Sequence, residues 1–425
     1  MKHQKKVLKN GLRVIFVPLK ENPTVTVLVM VEAGSKYETK EINGLSHFLE
    51  HLCFKGTEKR PKPTDISGEL DGIGAEYNAF TSQEFTGYFA KAHRKHANRL
   101  LDIVADLYQN PIFRTEDIDR ERGVIIEEIN MYEDLPQRQV HETYMELLYG
   151  DQPAGWSIAG PKEVIRRLSQ EEFISYRNKH YVSKATTVVI SGAFDRAQIL
   201  KQIQEKFSGM SSGKKHSKIK VQESQQKPQV RIKEKKTDQA HLILGFRSMG
   251  VTHKDELIAS FIAAILAGGM SSRLFVRLRE KMGVCYYVKA FQDSYTDHGS
   301  LFVATGVDTK RVQEVIRALL EEYTRLTKEL ISDEELNRVK ESVIGKMILG
   351  LEASDDVAEY IGIQEILRTS IVSPEERAKK IRAITANDIR RVARKIITEK
   401  RMNLALIGPF NNVNHFTSIL KLPLE

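Results

Sequence analysis

The chain has 425 residues, of which 41% are hydrophobic and 28% are charged, a composition typical of a globular protein with enough apolar residues for packed cores. No apolar run reaches the roughly 18 to 20 residues that a membrane-spanning helix needs, so we expect no membrane span. The two cysteines, Cys53 and Cys285, are too few for a disulfide-rich scaffold or a thiolate zinc cluster and are consistent with a cytoplasmic location.

In the first half of the chain, predicted strands alternate with predicted helices. Alternating apolar residues predict strands over 11–19 and 24–34, and a helix is predicted over about 45–55. The remaining predicted elements are a helix over 63–74 with Thr64 as its N-cap, two strands within 75–92, helices over 96–111 and 115–134, and a strand over 185–194.

Residues 208–230 are rich in Ser, Lys and Gln and have no apolar period, which predicts a domain linker. We therefore expect a first domain over 1–208, a linker over 209–235 and a second domain over 236–425. The formal net charge is +9, and lysines crowd at 214–220 and 233–236. We interpret these stretches as a solvated linker. The alternative, a nucleic-acid-binding patch, lacks interleaved aromatic residues, so no nucleic-acid partner is expected.

The second half repeats the order of the first, which indicates a duplicated chain of two α+β halves. Residues 48–56 align with 261–269, and residues 118–129 align with 336–347. The predicted elements of this half are strands over 240–250, 283–294 and 298–307, and helices over 256–269, 309–329 and 332–356.

The aligned halves agree at periodic apolar positions and differ at four polar positions of the first half. Opposite His47, Glu50, His51 and Glu128 stand Ser260, Ala263, Ala264 and Lys346. Because the second half is built without these polar groups, packing alone does not explain their presence in the first half.

The stretch HFLEH, residues 47–51, predicts a metal site on a helix. His47 and His51 are four residues apart, so both imidazoles project from one helical face toward a single cation. Glu50 lies close enough to take a proton from water without being a ligand, in the inverted order of the zinc-peptidase helix. The alternative is a solvated helix with two surface histidines.

A catalytic zinc ion usually has a third protein ligand from another element. Glu121 and Glu128 are two helical turns apart and share a face near the apolar side set by Val124, Ile125 and Ile129. A carboxylate near a buried side is costly unless it finds a cation or donors, so we expect both glutamates to have partners.

With these residues in place, the sequence resembles the pitrilysin-like inverted-zincin metallopeptidases, which include insulin-degrading enzymes, mitochondrial processing peptidases and bacterial processing-type peptidases. The family signature is H-x-x-E-H followed, after 76 residues, by a glutamate, which here is Glu128. The resemblance implies that His47, His51 and Glu128 bind one Zn²⁺ per chain and that Glu50 is the general base. Glu121 matches a second acidic position and is expected in the outer shell of the metal.

The resemblance extends over nearly the whole chain. It implies two halves with mixed, mostly antiparallel sheets packed by helices, and it assigns Asn78 and Ala79 to an edge strand that pairs with extended substrate. It also assigns Arg279 and Tyr286 to catalysis, where a guanidinium and a phenol suit donation to a carbonyl or oxyanion.

The expected function is that of a zinc endopeptidase that cleaves short or unfolded peptides in extended form inside a chamber, with Glu50 activating a zinc-bound water. Because one chain holds both the zinc motif and the Arg/Tyr pair, a homodimer is expected, and a heterodimer is the alternative. The rival function is a non-catalytic or partner-dependent subunit of a processing complex.

Overall fold

The computed structural model describes residues 1–423. In this part of the chain, the strands are β1 Gln4–Val7, β2 Arg13–Pro18, β3 Thr24–Val31, β4 Glu76–Thr81, β5 Thr86–His93, β6 Thr186–Gly192, β7 Gln229–Glu234, β8 Gln239–Ser248, β9 Cys285–Ser294, β10 Gly299–Asp308 and β11 Met402–Gly408.

The α-helices in chain order are α1 Leu45–Leu52, α2 Pro63–Asp71, α3 Ala97–Gln109, α4 Thr115–Asp134, α5 Pro136–Tyr149, α6 Lys162–Arg167, α7 Gln170–His180, α8 Arg196–Lys206, α9 Glu256–Ala267, α10 Val312–Lys328, α11 Asp333–Leu349, α12 Ser354–Leu367, α13 Pro374–Arg382, α14 Ala386–Ile396 and α15 Val413–Ile419. A π-helical segment spans Phe275–Lys281. None of the helices in residues 1–423 combines the length and apolar character needed to cross a bilayer.

The first compact unit comprises Met1–Asn130, Trp156–Ile219 and Ile348–Pro374. Its sheet has the order β1-β2-β6-β3-β5-β4. Only the β2–β6 pair is parallel, and the other neighbours are antiparallel. Strand β4 therefore lies at one edge of the sheet, paired with β5 alone.

The second compact unit comprises Met131–Gly155, Lys220–Met347 and the described residues from Glu375 onward. Its sheet has the order β7-β11-β8-β10-β9, with one parallel pair, β7–β11, and antiparallel pairs elsewhere. This is the order of the first sheet without β1, and β9 takes the edge position of β4. The predicted α+β fold with two related halves and mixed, mostly antiparallel sheets is confirmed.

Each unit contains a helix from the opposite half of the chain. In the first unit, α12 covers one face of the sheet through Val357, Ala358 and Ile361, which pack with residues of β2, β3 and β6. In the second unit, α5 covers the equivalent face and packs on β8, β10 and β11. The compact units thus depart from a simple division of the chain at residues 209–235.

The lysine-rich segment that we interpreted as a solvated linker is partly docked. Lys215 pairs with the buried Glu32, and Lys218 pairs with the buried Glu84. Residues 229–234 of the predicted linker form β7, whose Val230 and Ile232 pack against the second core. Two apolar residues in six are too few for the alternation to stand out from a polar loop.

Two local predictions were wrong, and one strand was missed. Thr64 is not the N-cap of α2, because the helix already begins at Pro63, a residue suited to the first turn. The single helix predicted over 332–356 is broken between Leu349 and Ser354. Strand β1 was missed because all four of its residues are exposed and show no alternation.

The contact of α12 with β3 predicts the effect of a side chain at Gly362. A Cβ atom there would lie 2.4 Å from Met30 Sδ and 3.3 Å from Leu28 Cδ2. We expect Gly362→Val to lower the free energy of unfolding by about 1–3 kcal/mol, because overpacking displaces both neighbours. Urea denaturation followed by circular dichroism measures this change.

Gly345 in α11 provides the control, since nothing lies within 4 Å of a Cβ built there. Gly345→Ala should raise the free energy of unfolding by about 0.5–1 kcal/mol. Equal denaturation midpoints for Gly362→Val and the wild type would show that α12 does not pack closely on β3.

Candidate metal centre

The histidines of the candidate site lie on the outer face of α1. Leu45, Phe48, Leu49 and Leu52 are fully buried and follow a helical period. This apolar stripe fixes the rotation of the helix and turns His47, Glu50 and His51 toward the opposite side, where they are partly exposed.

Glu38 holds the N-terminus of α1. Its carboxylate accepts hydrogen bonds from the backbone N–H groups of Gly44, at 2.9 Å, and Ser46, at 2.6 Å, and from the Asn43 side chain at 3.0 Å. The two backbone N–H groups are donors that the first turn of a helix leaves unsatisfied. Burial raises the pKa of Glu38 to about 7, although the donors favour its carboxylate form. Sequence inspection missed Glu38 because its spacing fits no capping box.

The second element of the site is α4. Its buried residues include Ile118, Glu121, Ile125 and Ile129, spaced three or four apart. Val124, which we predicted on the buried side, is 49% exposed. That prediction was wrong because Val124 lies about 100° from Ile125 around the helix, outside the narrow apolar stripe.

The structure brings His47, His51 and Glu128 together. Glu128 Oε2 lies 3.7 Å from His47 Nε2 and 3.6 Å from His51 Nε2. One potential ligand atom from each residue lies within 4.8 Å of the others. Tetrahedral zinc with bonds of about 2.0–2.2 Å separates neighbouring ligand atoms by roughly 3.3 Å. The two histidines and the glutamate therefore fit a zinc ion after small side-chain adjustments.

The electrostatics favour the neutral imidazole that a metal requires at His47. Burial, together with the charge of His51, lowers the pKa of His47 to about 4, although Glu128 opposes the shift. His47 Nδ1 is buried and has no hydrogen-bond partner among residues 1–423. At neutral pH this ring is therefore uncharged, and its Nε2 is the atom directed toward Glu128.

Glu121 binds the other side of His51. Its Oε1 lies 2.9 Å from His51 Nδ1, and its Oε2 lies 2.5 Å from Lys55 Nζ. Burial raises the pKa of Glu121, but the hydrogen bonds from His51 and Lys55 outweigh it and lower the pKa overall. The two glutamates that we expected to have partners thus both contact the histidine pair.

Glu50 projects from α1 toward β4. Thr81 Oγ1 donates a hydrogen bond to Glu50 Oε2 at 2.5 Å, so one carboxylate oxygen is held by the strand. Burial raises the pKa of Glu50, and the hydrogen bond from Thr81 opposes the shift. Thr81 was missed at the sequence level because a threonine in a strand is ordinarily a propensity signal.

Asn78 and Ala79 lie on the edge strand β4, as the resemblance implied. Asn78 is exposed, and its Oδ1 accepts a hydrogen bond from the backbone N–H of Ala79 at 2.9 Å. An unpaired strand edge is where an extended peptide adds by main-chain hydrogen bonds. Binding at Ala79 would require the Asn78 side chain to release this N–H group.

Arg279 and Tyr286 contact each other in the second unit. The Arg279 guanidinium lies 5.1 Å from the Tyr286 ring centroid, and its Nη1 donates to the Tyr286 carbonyl oxygen at 2.7 Å. Tyr286 is the unpaired residue of a bulge, since Cys285 pairs with Val307 and Tyr287 pairs with Gly306. The bulge leaves the Tyr286 side chain 75% exposed, an arrangement common near functional sites.

Comparisons with known proteins agree with this fold. The family model described as Insulinase (Peptidase family M16) matches residues 13–162, and the model described as Peptidase M16 inactive domain matches residues 167–343. A crystal structure of a protease from Helicobacter pylori has the same fold, with a TM-score of 0.89 over 96% of this chain and 99% of that chain, at 22% sequence identity.

Two sequence relatives cover almost the whole chain. The uncharacterized zinc protease YmxG of Bacillus subtilis (strain 168) is 33% identical over 408 residues, which are 95% of this chain and 98% of the relative. The mitochondrial-processing peptidase subunit beta of Rattus norvegicus is 30% identical over 97% of this chain and 86% of the relative. The doubled fold with its HFLEH helix is of the inverted-motif zinc protease class. The chain belongs to peptidase family M16.

The role of Glu38 can be tested by stability. We expect Glu38→Ala to lower the free energy of unfolding by about 1–3 kcal/mol, because the buried N–H groups of Gly44 and Ser46 lose their acceptor. Glu41, which is exposed, provides the matched control, and Glu41→Ala should change this energy by less than about 0.5 kcal/mol. Chemical denaturation measures both, and equal midpoints for the two variants would contradict the capping role.

Proposed function

We propose that the protein is a zinc-dependent endopeptidase that cleaves short or unfolded peptides in extended conformation inside an enclosed chamber. The observation that carries this proposal is the convergence of His47, His51 and Glu128, with Glu50 on the same helix. Membership of family M16 and relatives named zinc proteases support it.

In this proposal His47, His51 and Glu128 hold one Zn²⁺ per chain. Zinc, when bound, supplies a Lewis acid that polarises a carbonyl group and makes water more acidic. Glu121 orients the ring of His51 through the hydrogen bond at His51 Nδ1. The low pKa of His47 supports its role as a ligand, because a neutral ring has a free electron pair for the metal.

Glu50 acts as general base and then as general acid. Its carboxylate takes one proton from the water molecule whose oxygen attacks the scissile carbonyl carbon. When the C–N bond breaks, Glu50 gives this proton to the departing amine nitrogen. Thr81 occupies Oε2 of Glu50, which leaves Oε1 as the oxygen that exchanges the proton.

The substrate contacts follow from the strand edge and from the Arg279–Tyr286 pair. We propose that peptide pairs with β4 at Asn78 and Ala79, which explains the preference for an extended conformation. We also propose that the guanidinium of Arg279 and the hydroxyl of Tyr286 donate to the substrate carbonyl oxygen and stabilise its negative charge as the bond breaks.

We propose a homodimer as the active assembly, since one chain carries both HFLEH and the Arg279–Tyr286 pair. The second candidate function is that of a partner-dependent subunit. It is favoured by a relative named as one subunit of a processing peptidase and by the name of the family model that matches the second half.

The general base can be tested directly. Glu50→Gln should lower the turnover of a mixed peptide library by about 10²–10⁴-fold, because the amide cannot accept the proton from water. Zinc content should stay at the wild-type level, since Glu50 is not a ligand. Mass spectrometry of the digest and metal analysis of the same sample measure the two effects.

Full turnover by Glu50→Gln would remove Glu50 from the mechanism. A wild-type chain that binds zinc but cleaves peptides only after a second, different chain is added would favour the partner-dependent subunit. Cleavage by the wild type alone, abolished by a chelator and restored by zinc, is the result expected for the endopeptidase.

The ligand role of Glu128 has an adjacent control. Glu127 is exposed on the same helix and hydrogen-bonds Asn130. We expect Glu128→Gln to weaken zinc binding at least about 10-fold, because a neutral amide is a poorer ligand than a carboxylate. Glu127→Gln should bind zinc like the wild type. Equal zinc affinities for the two variants would exclude Glu128 as a ligand.

A further inference from the structure

Lys55 contacts the carboxylate that holds His51. It follows His51 by four residues, just beyond the end of α1, and its Nζ lies 2.5 Å from Glu121 Oε2. The other oxygen of Glu121, Oε1, lies 2.9 Å from His51 Nδ1. The three side chains therefore form a line in which each oxygen of Glu121 has one partner.

Burial makes this line sensitive to the loss of a charge. The Glu121 side chain is 5% exposed, whereas that of Lys55 is 27% exposed. A carboxylate removed from water in this way needs a cation or several donors. Without Lys55, the imidazole of His51 is the one side-chain partner that Glu121 retains among residues 1–423.

Lys55 is held through its backbone as well. Arg114 Nη2 donates to the Lys55 carbonyl oxygen at 3.1 Å, while Arg114 Nε donates to Asp117 Oδ2 at 2.6 Å. Asp117 lies in the first turn of α4. Arg114 thus ties the end of α1 to the start of α4, the two helices that carry the candidate ligands.

The second half of the chain has none of the three residues that form this line. In the alignment of the halves, Ala264, Gly268 and Val339 stand opposite His51, Lys55 and Glu121. Val339 packs against the apolar core of its unit. The same topology therefore forms without this lysine, so the packing of the fold does not require Lys55.

We infer that Lys55 is a positioning residue for the proposed zinc site, acting through Glu121 on the orientation of His51. This inference rests on the proposed zinc site. The ammonium holds Oε2 of Glu121 in place, and Oε1 of Glu121 accepts a hydrogen bond from His51 Nδ1, which turns Nε2 toward the proposed metal.

The test is the zinc dissociation constant of the full chain, measured by competition with a chelating dye. Lys55→Met should weaken zinc binding by about 10- to 100-fold, the usual loss when an outer-shell partner is removed. Lys55→Arg should recover part of the affinity, because it keeps the charge. Lys59 lies on the same loop, is 58% exposed and pairs with Asp102, so Lys59→Met should bind zinc like the wild type.

A double-mutant cycle shows whether Lys55 acts through Glu121. In a Glu121→Gln background, Lys55→Met should change the zinc dissociation constant by less than about twofold, because the carboxylate through which Lys55 acts is already absent. Wild-type affinity of Lys55→Met, or an equal loss in both backgrounds, would overturn the inference. A wild-type chain that binds no zinc would overturn both proposals.

Peptide cleavage measured on the same samples separates the two proposals. A wild type that binds zinc in a Lys55-dependent manner but cleaves nothing refutes the endopeptidase and supports the positioning role. Zinc affinity that does not depend on Lys55 in an enzyme that cleaves peptides refutes the positioning role alone.

Discussion

The buried carboxylate of Glu121 determines how α1 and α4 meet. It can be accommodated only where His51 and Lys55 reach it, because an unpaired buried carboxylate costs several kcal/mol. Glu128 lies two turns further along α4, and this anchor places it at the two imidazoles. A rotation of α4 by one residue, about 100°, would move Glu121 away from His51 and Lys55 and Glu128 away from the two imidazoles. The same ion pair that fixes the packing thus fixes the geometry of the site.

The groups around the candidate site act on different parts of one short helix. Glu38 satisfies the N-terminal N–H groups of α1, and Thr81 holds one oxygen of Glu50 from the strand side. None of these contacts involves a candidate ligand directly, yet each restricts a side chain or backbone segment beside one. A helix of eight residues has little stability of its own, so its position depends on such contacts and on its buried leucines.

Much of the architecture could be predicted from the sequence because it depends on the local spacing of apolar residues. Alternating valines predicted β3, and the spacing of HFLEH placed two imidazoles on one helical face. The halves could be aligned because apolar positions recur. By contrast, β1 and β7 carry too few apolar residues to alternate visibly. The exchange of α5 and α12 could not be read at all, because an apolar helical face does not specify which sheet it covers.

The second half of the chain shows what stands at the position of a candidate metal ligand when no metal is to be bound. At the position of Glu128 it carries Lys346, whose ammonium donates to the carbonyl oxygen of Gly268 just after α9. A cation at a helix C-terminus is favourable. In the second half of the chain, Lys346 therefore stabilises the C-terminal end of α9. In the first copy the corresponding position is a carboxylate directed at two imidazoles. Burial disfavours ionised carboxylates and lowers the pKa of His47, so this arrangement has no packing advantage of its own. In the proposed zinc site, a divalent cation would offset this cost, because it supplies the positive charge that the buried carboxylate and the two neutral rings can bind.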